Sequence, residues 1–142
     1  MKFWDASAII PLCIDEPKTA SVREVAESNG SMAVWWGTVT ECHSAFARAR
    51  REGCITNDEE DLLRELLAML EHGWTEIEPS WEIRSIAGRL LLNHPLRAAD
   101  SLQLAAALIW AGNFPKGHQF VCLDQRLREA ARKEGFLVIP SY

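Results

Sequence analysis

Short apolar runs alternate with longer amphipathic stretches along the whole chain. The short runs have the β-prone composition of strands, and the longer stretches place apolar residues at helical spacing. We predict strands at 2–4, 32–36, 74–77, 119–123 and 136–139. We predict helices at 6–13, 19–28, 38–52, from 57 onward, at 80–92, 97–111 and 126–133. Strands regularly separated by helices indicate a parallel sheet covered on both faces. Residues 1–142 are therefore predicted to form one α/β domain, a three-layer α/β/α sandwich with a central parallel sheet.

Individual residues predict where several helices begin and end. Asn29 and Gly30 are expected to stop the second helix, and a threonine near residue 38 is expected to cap the third, which ends at Gly53. Asn57 is expected to cap the fourth helix, whose apolar side is predicted from residues at helical spacing: Leu62, Leu66, Met69 and Leu70. Leu63 and Leu67 extend this stripe onto an adjoining face. That is more apolar surface than one packed face requires, so part of it is expected to bury against a second copy of the chain.

Composition excludes several classes of protein. The 142 residues are 48% hydrophobic and 25% charged, the ordinary composition of a globular domain. The formal net charge of −5 excludes loose coating of nucleic acid by bulk attraction. No apolar stretch is long enough for a membrane helix, and the first residues do not resemble a secretory signal, so we expect a cytoplasmic protein without a membrane partner. The cysteines lack a C-x-x-C pair and are expected to be reduced and mostly buried: Cys13, Cys42, Cys54 and Cys122.

Four acidic residues follow or flank the predicted strands. Asp5 and Asp124 each end a strand and open a helix, whereas Glu41 and Asp100 lie in the first turn of a helix. In a parallel sheet, all these positions face the carboxyl edge of the strands. Each residue taken singly is explained by helix capping. Two carboxylates about 5 Å apart, however, repel by roughly 3 kcal/mol at an effective dielectric of about 20, so four in one pocket call for protons or hard cations such as Mg²⁺ or Mn²⁺.

The same residues carry a resemblance to PIN-domain ribonucleases. Segment 3–10 (FWDASAII) resembles the opening of that domain, and segment 39–42 (VTEC) resembles its second acidic motif. Segment 96–105 (LRAADSLQLA) is close to the family's L-R-x-x-D-[AS]-L-x-L-A run and is the most specific match. Segment 121–127 (VCLDQRL) resembles the fourth motif. The ordered set spans essentially the whole chain, and its size and third motif look most like VapC toxins of type II toxin–antitoxin systems.

The resemblance implies a catalytic and metal-binding set. Asp5, Glu41, Asp100 and Asp124 would hold one or two Mg²⁺ or Mn²⁺ ions and catalyse hydrolysis of RNA phosphodiester bonds. Ser7 is expected to support this site by bonding the Asp5 carboxylate or a metal-bound water. A cognate antitoxin, an RNA substrate and a homodimer are implied as partners.

The sequence departs from the family pattern at two positions. Cys122 stands where many relatives have Thr or Ser, and Gln103 stands where many have His. Neither change removes an expected metal ligand. Trp4 and Trp36, predicted near the acidic edge, are left open between RNA stacking and packing.

The basic residues suggest different roles. Arg97 is expected near the pocket, either to position a phosphate or to pair with a carboxylate. Seven other basic residues form two clusters interpreted as solvated helix faces: Arg48, Arg50 and Arg51, then Arg126, Arg128, Arg132 and Lys133.

Three other functions stay open on the sequence. One is a PIN-type RNA-processing nuclease without an antitoxin. Another is a non-catalytic α/β binding module whose acids are only caps. A phospho-accepting receiver domain also clusters acids at strand ends, but the adjacent acids after the first strand and the late lysine that it needs are not clear here.

Overall fold

A computed structural model describes residues 1–28 and 30–141. The described elements are β1 (Lys2–Trp4), α1 (Ala6–Cys13), α2 (Thr19–Ser28), β2 (Met32–Trp35), α3 (Thr38–Arg51), α4 (Asn57–Gly73), β3 (Thr75–Ile77), α5 (Trp81–Asn93), α6 (Ala98–Trp110), β4 (Gln119–Val121), α7 (Gln125–Glu134) and β5 (Leu137–Ile139). Every predicted element is present, with ends that differ by up to two residues. Asn29, half of the stop signal predicted for α2, lies outside the described residues.

The five strands form one parallel sheet in the order β3-β2-β1-β4-β5. The chain first builds outward from β1 to β3 and then returns to place β4 on the other side of β1. The direction in which strands are added therefore reverses between β1 and β4. The connections that follow these two strands leave in opposite directions, which opens a crevice at their carboxyl ends. The predicted three-layer parallel architecture is confirmed, and the crevice lies where Asp5 and Asp124 follow these strands.

Two apolar layers cover the two faces of the sheet. Adjacent side chains of a strand point to opposite faces, and Phe3 packs in one layer with α5, α6 and α7 while Trp4 packs in the other with α1, α3 and α4. Both rings are wholly buried. The short central strands are thus held from both sides, which makes their carboxyl ends a rigid base for the crevice.

Two of the predicted helix caps are wrong. Gly37 occupies the N-cap position of α3 and makes no side-chain cap bond. Thr38 is the first helical residue and is buried. Thr56, not Asn57, caps α4: its hydroxyl accepts from the Glu59 N–H at 3.1 Å, and the Glu59 carboxylate accepts from the Thr56 N–H at 2.9 Å. This reciprocal pair satisfies two backbone donors that would otherwise be open at the helix start.

The packed face of α4 differs from the predicted stripe. Leu67 is fully buried, and Leu63 and Leu70 pack partly buried in the same layer. Leu62 and Met69, which the prediction placed on the apolar face, are 63% and 70% exposed. The helix is therefore rotated relative to the predicted stripe, of which Leu70 packs partly buried in this layer.

All four cysteines are free, as expected. Cys42 and Cys122 are buried and Cys13 is half-buried, but Cys54 is exposed and departs from the prediction of mostly buried thiols. Among the described helices, none is long and apolar enough to cross a membrane.

Candidate functional site

A cavity of about 770 Å³ opens at the carboxyl edge of the sheet. Its lining includes all four acids singled out in the sequence, together with both supporting residues: Asp5, Ser7, Glu41, Arg97, Asp100 and Asp124. The acids come from the ends or first turns of four separate elements. The convergence that was expected from chain order is therefore present in the structure.

Asp5 joins β1 to α1 at the base of the cavity. Its backbone N–H donates to the Val121 carbonyl at 2.9 Å, and its Oδ2 accepts from the Ser7 N–H at 3.0 Å as the N-cap of α1. The residue is only 4% exposed. The pKa of Asp5 is raised to about 6, mainly by burial. Hydrogen bonding from Ser7 opposes this shift, and the charges of Asp100 and Asp124 contribute to it.

Ser7 and Cys122 lie beside Asp5 and tie it to the loop after β4. The Ser7 hydroxyl accepts from the Leu123 N–H at 2.9 Å, and its backbone N–H bonds the Asp5 carboxylate as expected. The buried Cys122 thiol lies 3.7 Å from Asp5 Oδ2 and 3.6 Å from Ser7 Oγ. At this position the sequence supplies a weak thiol donor in place of a hydroxyl.

Glu41 lies in the first turn of α3, half-buried against α6. Its Oε2 accepts a hydrogen bond of 2.7 Å from the side-chain amide of Gln103. The pKa of Glu41 is raised to about 7, mainly by burial. The negative charges of Asp5 and Asp100 contribute to this shift, and the Gln103 hydrogen bond opposes it. Without a compensating positive charge, the surroundings of Glu41 therefore favour the protonated carboxyl.

Asp100 and Asp124 complete the acidic set at the mouth of the cavity. Asp100 lies in the first turn of α6, where its Oδ2 accepts from the Arg97 N–H at 3.4 Å. Burial and the neighbouring Asp124 raise the pKa of Asp100. Asp124 is exposed and caps α7 through Oδ2, which accepts from the Leu127 N–H at 3.0 Å. Capping occupies part of a carboxylate's acceptor capacity and leaves the rest for a ligand, so capping and ligand binding are compatible.

The donor set fits a hard divalent cation. In the described part of the chain, no three histidine, cysteine or acidic side chains are already grouped closely enough to hold one ion. The four acids nevertheless share one cavity. The charges of Asp100 and Asp124 raise the pKa of Asp5, and those of Asp5 and Asp100 raise the pKa of Glu41. Mg²⁺ keeps several waters when it binds to proteins. These carboxylates therefore suit an ion held partly through water, and Mg²⁺ or Mn²⁺ stays a prediction.

Three arginines reach the same cavity: Arg48, Arg97 and Arg126. Arg48 and Arg126 are both exposed, as the interpretation as solvated helix faces predicts, and they also border the cavity. The remaining cluster arginines include several with other partners: Arg50 pairs with Glu60 at 2.6 Å, Arg128 donates to the Cys122 carbonyl at 2.7 Å and Arg132 pairs with Glu129 at 2.6 Å.

Some functional candidates were missed although a local signal existed. Arg48 follows Glu41 by two helical turns, which places both on one face of α3. Gln103 likewise follows Asp100 by about one turn of α6. Trp4 belongs to the core and Trp36 is 55% exposed, and neither lines the cavity.

Comparison with known proteins places the chain by its fold. No protein-family model matches the sequence, and no curated protein matches it. A chain in a toxin–antitoxin complex from Klebsiella pneumoniae superposes with a TM-score of 0.68 at 15% identity, over 100% of this chain and 98% of that one. FitAcB from Neisseria gonorrhoeae gives 0.69 at 16% identity over 99% and 97%. FitAB bound to the IR36 DNA fragment gives 0.67 at 15% identity over 98% and 94%. The chain therefore shares its three-layer fold with these chains over nearly its whole length.

Proposed function

We propose that this protein is a Mg²⁺- or Mn²⁺-dependent endoribonuclease. The observation that carries the proposal is the meeting of four carboxylates, each from a different part of the chain, in one cavity. Caps alone do not explain this convergence, because a helix cap needs no second carboxylate beside it and the mutual repulsion of four carboxylates in one cavity is unfavourable. A divalent cation removes that repulsion and accounts for all four residues together.

The proposed chemistry is hydrolysis of an RNA phosphodiester. Asp5, Glu41, Asp100 and Asp124 would hold one or two ions, which lower the pKa of bound water and stabilise charge on the leaving oxygen. Asp5 is anchored through its cap on α1, which keeps one carboxylate stationary at the base of the cavity. Hydrolysis of this kind leaves a 5′-phosphate and a 3′-hydroxyl.

The three cavity arginines support a polyanionic substrate. The chain as a whole is acidic, so binding of RNA must depend on local positive charge. Arg48, Arg97 and Arg126 lie on three different elements around the acids. Guanidinium groups bind phosphate oxygens in a bidentate manner, and three such groups would hold the strand on either side of the bond to be cleaved.

The direct test is cleavage of total RNA by the purified chain across a Mn²⁺ titration. We expect cleavage that rises with Mn²⁺, stops in EDTA and leaves ends with a 5′-phosphate. No cleavage at saturating Mn²⁺, or undiminished cleavage in EDTA, would contradict the proposal. A contaminating nuclease is controlled for by a chain carrying Asp5→Ala and Asp100→Ala together, purified in parallel.

We further propose that the chain is the toxin of a VapBC-type pair, with an antitoxin that covers the cavity. Support comes from a solved structure of similar fold, the toxin–antitoxin complex from Klebsiella pneumoniae. Expression of the chain with the protein of the adjacent reading frame should yield a stable complex in which cleavage is blocked. An active nuclease that the adjacent product neither binds nor inhibits would instead indicate an RNA-processing enzyme.

A homodimer is the assembly that we propose for the free chain. The exposed Leu62 and Met69 of α4 offer apolar surface for self-association. Light scattering at micromolar concentration should give twice the 16.0 kDa chain mass. A monomer mass would contradict the dimer without affecting the nuclease proposal.

A further inference from the structure

Gln103 is a fully buried polar side chain that connects two helices beside the cavity. It lies on α6 with no exposed surface, among the buried residues Leu104, Ala105 and Ala106. Its Nε2 donates to Thr38 Oγ1 at 2.9 Å and to Glu41 Oε2 at 2.7 Å. One amide group thus connects α6 to two residues of the first turn of α3.

The other end of the same amide is not satisfied. Gln103 Oε1 is buried and has no hydrogen-bond partner in the described structure. A buried carbonyl without a partner destabilises a fold, whereas an apolar side chain of the same shape would not. The stability of the apolar layer therefore does not explain why this position is polar. The bond to Glu41 does, because it reaches a residue of the cavity.

We propose that Gln103 is a positioning residue that holds the Glu41 carboxylate in the cavity. This inference rests on the proposed function. Glu41 has a long side chain that is repelled by Asp5 and Asp100, so it would turn away from the cavity if nothing held it. Thr38 accepts the second amide hydrogen and fixes the plane of the amide. The short bond to Oε2 then leaves Oε1 of Glu41 for a cation.

The test compares Gln103→Met with the unmodified chain by Mn²⁺ calorimetry and thermal unfolding. Methionine keeps the length of the side chain and removes both the donor and the unpaired carbonyl. We expect an equal or higher melting temperature, and a Kd for Mn²⁺ raised roughly 10- to 100-fold, the usual effect of losing a group that orients a metal ligand. Cleavage should fall at low Mn²⁺ and recover at saturating Mn²⁺, with KM for RNA unchanged.

A matched control separates positioning from general destabilisation. Thr19 is also buried, with its hydroxyl bonded to the Pro11 carbonyl at 2.8 Å on the other side of the sheet from α6. Thr19→Val should lower the melting temperature and leave Mn²⁺ affinity unchanged. If Gln103→Met behaves like Thr19→Val, the role of Gln103 is structural and the inference is overturned.

The inference can fail separately from the proposed function. If the unmodified chain binds Mn²⁺ and Gln103→Met binds it equally well, only the positioning role fails. If the unmodified chain binds no Mn²⁺, the nuclease proposal fails, and metal-free crystal structures of both chains decide the positioning role. We expect Glu41 in one orientation with Gln103 present and displaced or in several orientations with methionine. An unchanged Glu41 overturns the inference.

Discussion

Asp5 and Glu41 are carboxylates whose surroundings favour the protonated form. Both are desolvated, and each lies near other acids. Ordinary carboxyl groups are fully ionised at neutral pH, so keeping these two in place without a cation lowers the stability of the fold. The site is thus a local source of instability that a bound cation would relieve.

The raised pKa values predict how stability depends on pH. The folded pKa is about 6 for Asp5 and about 7 for Glu41, above the values near 4 expected in the unfolded chain. Between about pH 4 and pH 7 the folded state therefore binds more protons than the unfolded state, and these groups make the free energy of unfolding fall as pH rises. We expect this fall in EDTA, and reversal of it by Mn²⁺ at neutral pH.

Urea unfolding at several pH values measures this dependence, with Glu41→Gln as the comparison. His43 has a lowered pKa and contributes in the opposite direction, so the difference between the two chains is the quantity to follow. The unmodified chain should lose stability relative to Glu41→Gln as pH rises. A constant difference across the range would show that Glu41 is not perturbed.

Substitution of Asp100 is the most direct single-residue test of the proposed catalytic site. Asp100→Asn keeps the shape and the capacity to accept the Arg97 N–H bond, but it removes the charge that binds a cation. We expect cleavage to be abolished, with a melting temperature equal to or slightly above that of the unmodified chain, because one repulsive charge is gone. Near-normal cleavage of total RNA at saturating Mn²⁺ would remove Asp100 from the site.

Among the secondary-structure elements, α4 shows where pattern and packing disagree. Leucines occupy adjoining faces of this helix, so periodicity permits several packed faces. Contact with α1 and α3 selects the face of Leu67, Leu63 and Leu70. The cap of α4 was predictable: Thr56 and Glu59 have the spacing of a capping box, and this signal is stronger than an isolated Asn57.

A pair of leucine truncations tests the orientation of α4. Leu67→Ala removes a fully buried side chain and should lower the free energy of unfolding by about 2–5 kcal/mol. Leu62→Ala, on the same helix but 63% exposed, should change it by less than about 0.5 kcal/mol in the monomer. Chemical denaturation of both variants measures the contrast. Equal losses would mean that Leu62 is buried, either in the core or against a second chain.

Across the whole molecule, acidic residues outnumber basic ones, so binding of RNA depends on local positive charge. The chain carries a net charge of −5, yet three arginines surround the proposed site. Each phosphate contact to single-stranded RNA contributes about −0.7 to the slope of log affinity against log salt concentration. The number of arginines that touch RNA is therefore measurable from salt dependence.

The salt slope is measured from the binding of single-stranded RNA to a chain that carries Asp100→Asn, because this substitution prevents cleavage during the measurement. Adding Arg48→Gln or Arg126→Gln should weaken binding and make the salt slope less steep by about 0.7. Arg132→Gln is the control, because Arg132 pairs with Glu129 on the exposed side of α7. Identical slopes for the Arg48 and Arg132 variants would show that Arg48 does not contact phosphate.

Order along the chain was enough to predict the parallel sandwich and the edge where the four acids meet. The physical reason is that strand–helix alternation restricts the connections, so carboxyl ends of parallel strands share one edge. Contacts between elements far apart in the chain were not predictable in this way. Three features depend on how the helices rotate against one another. They are the bond from Gln103 to Glu41, the packed face of α4, and the position of Arg48 and Arg126, rather than their neighbours, at the cavity. Those rotations follow from side-chain packing across the sheet and between helices, which local periodicity does not encode.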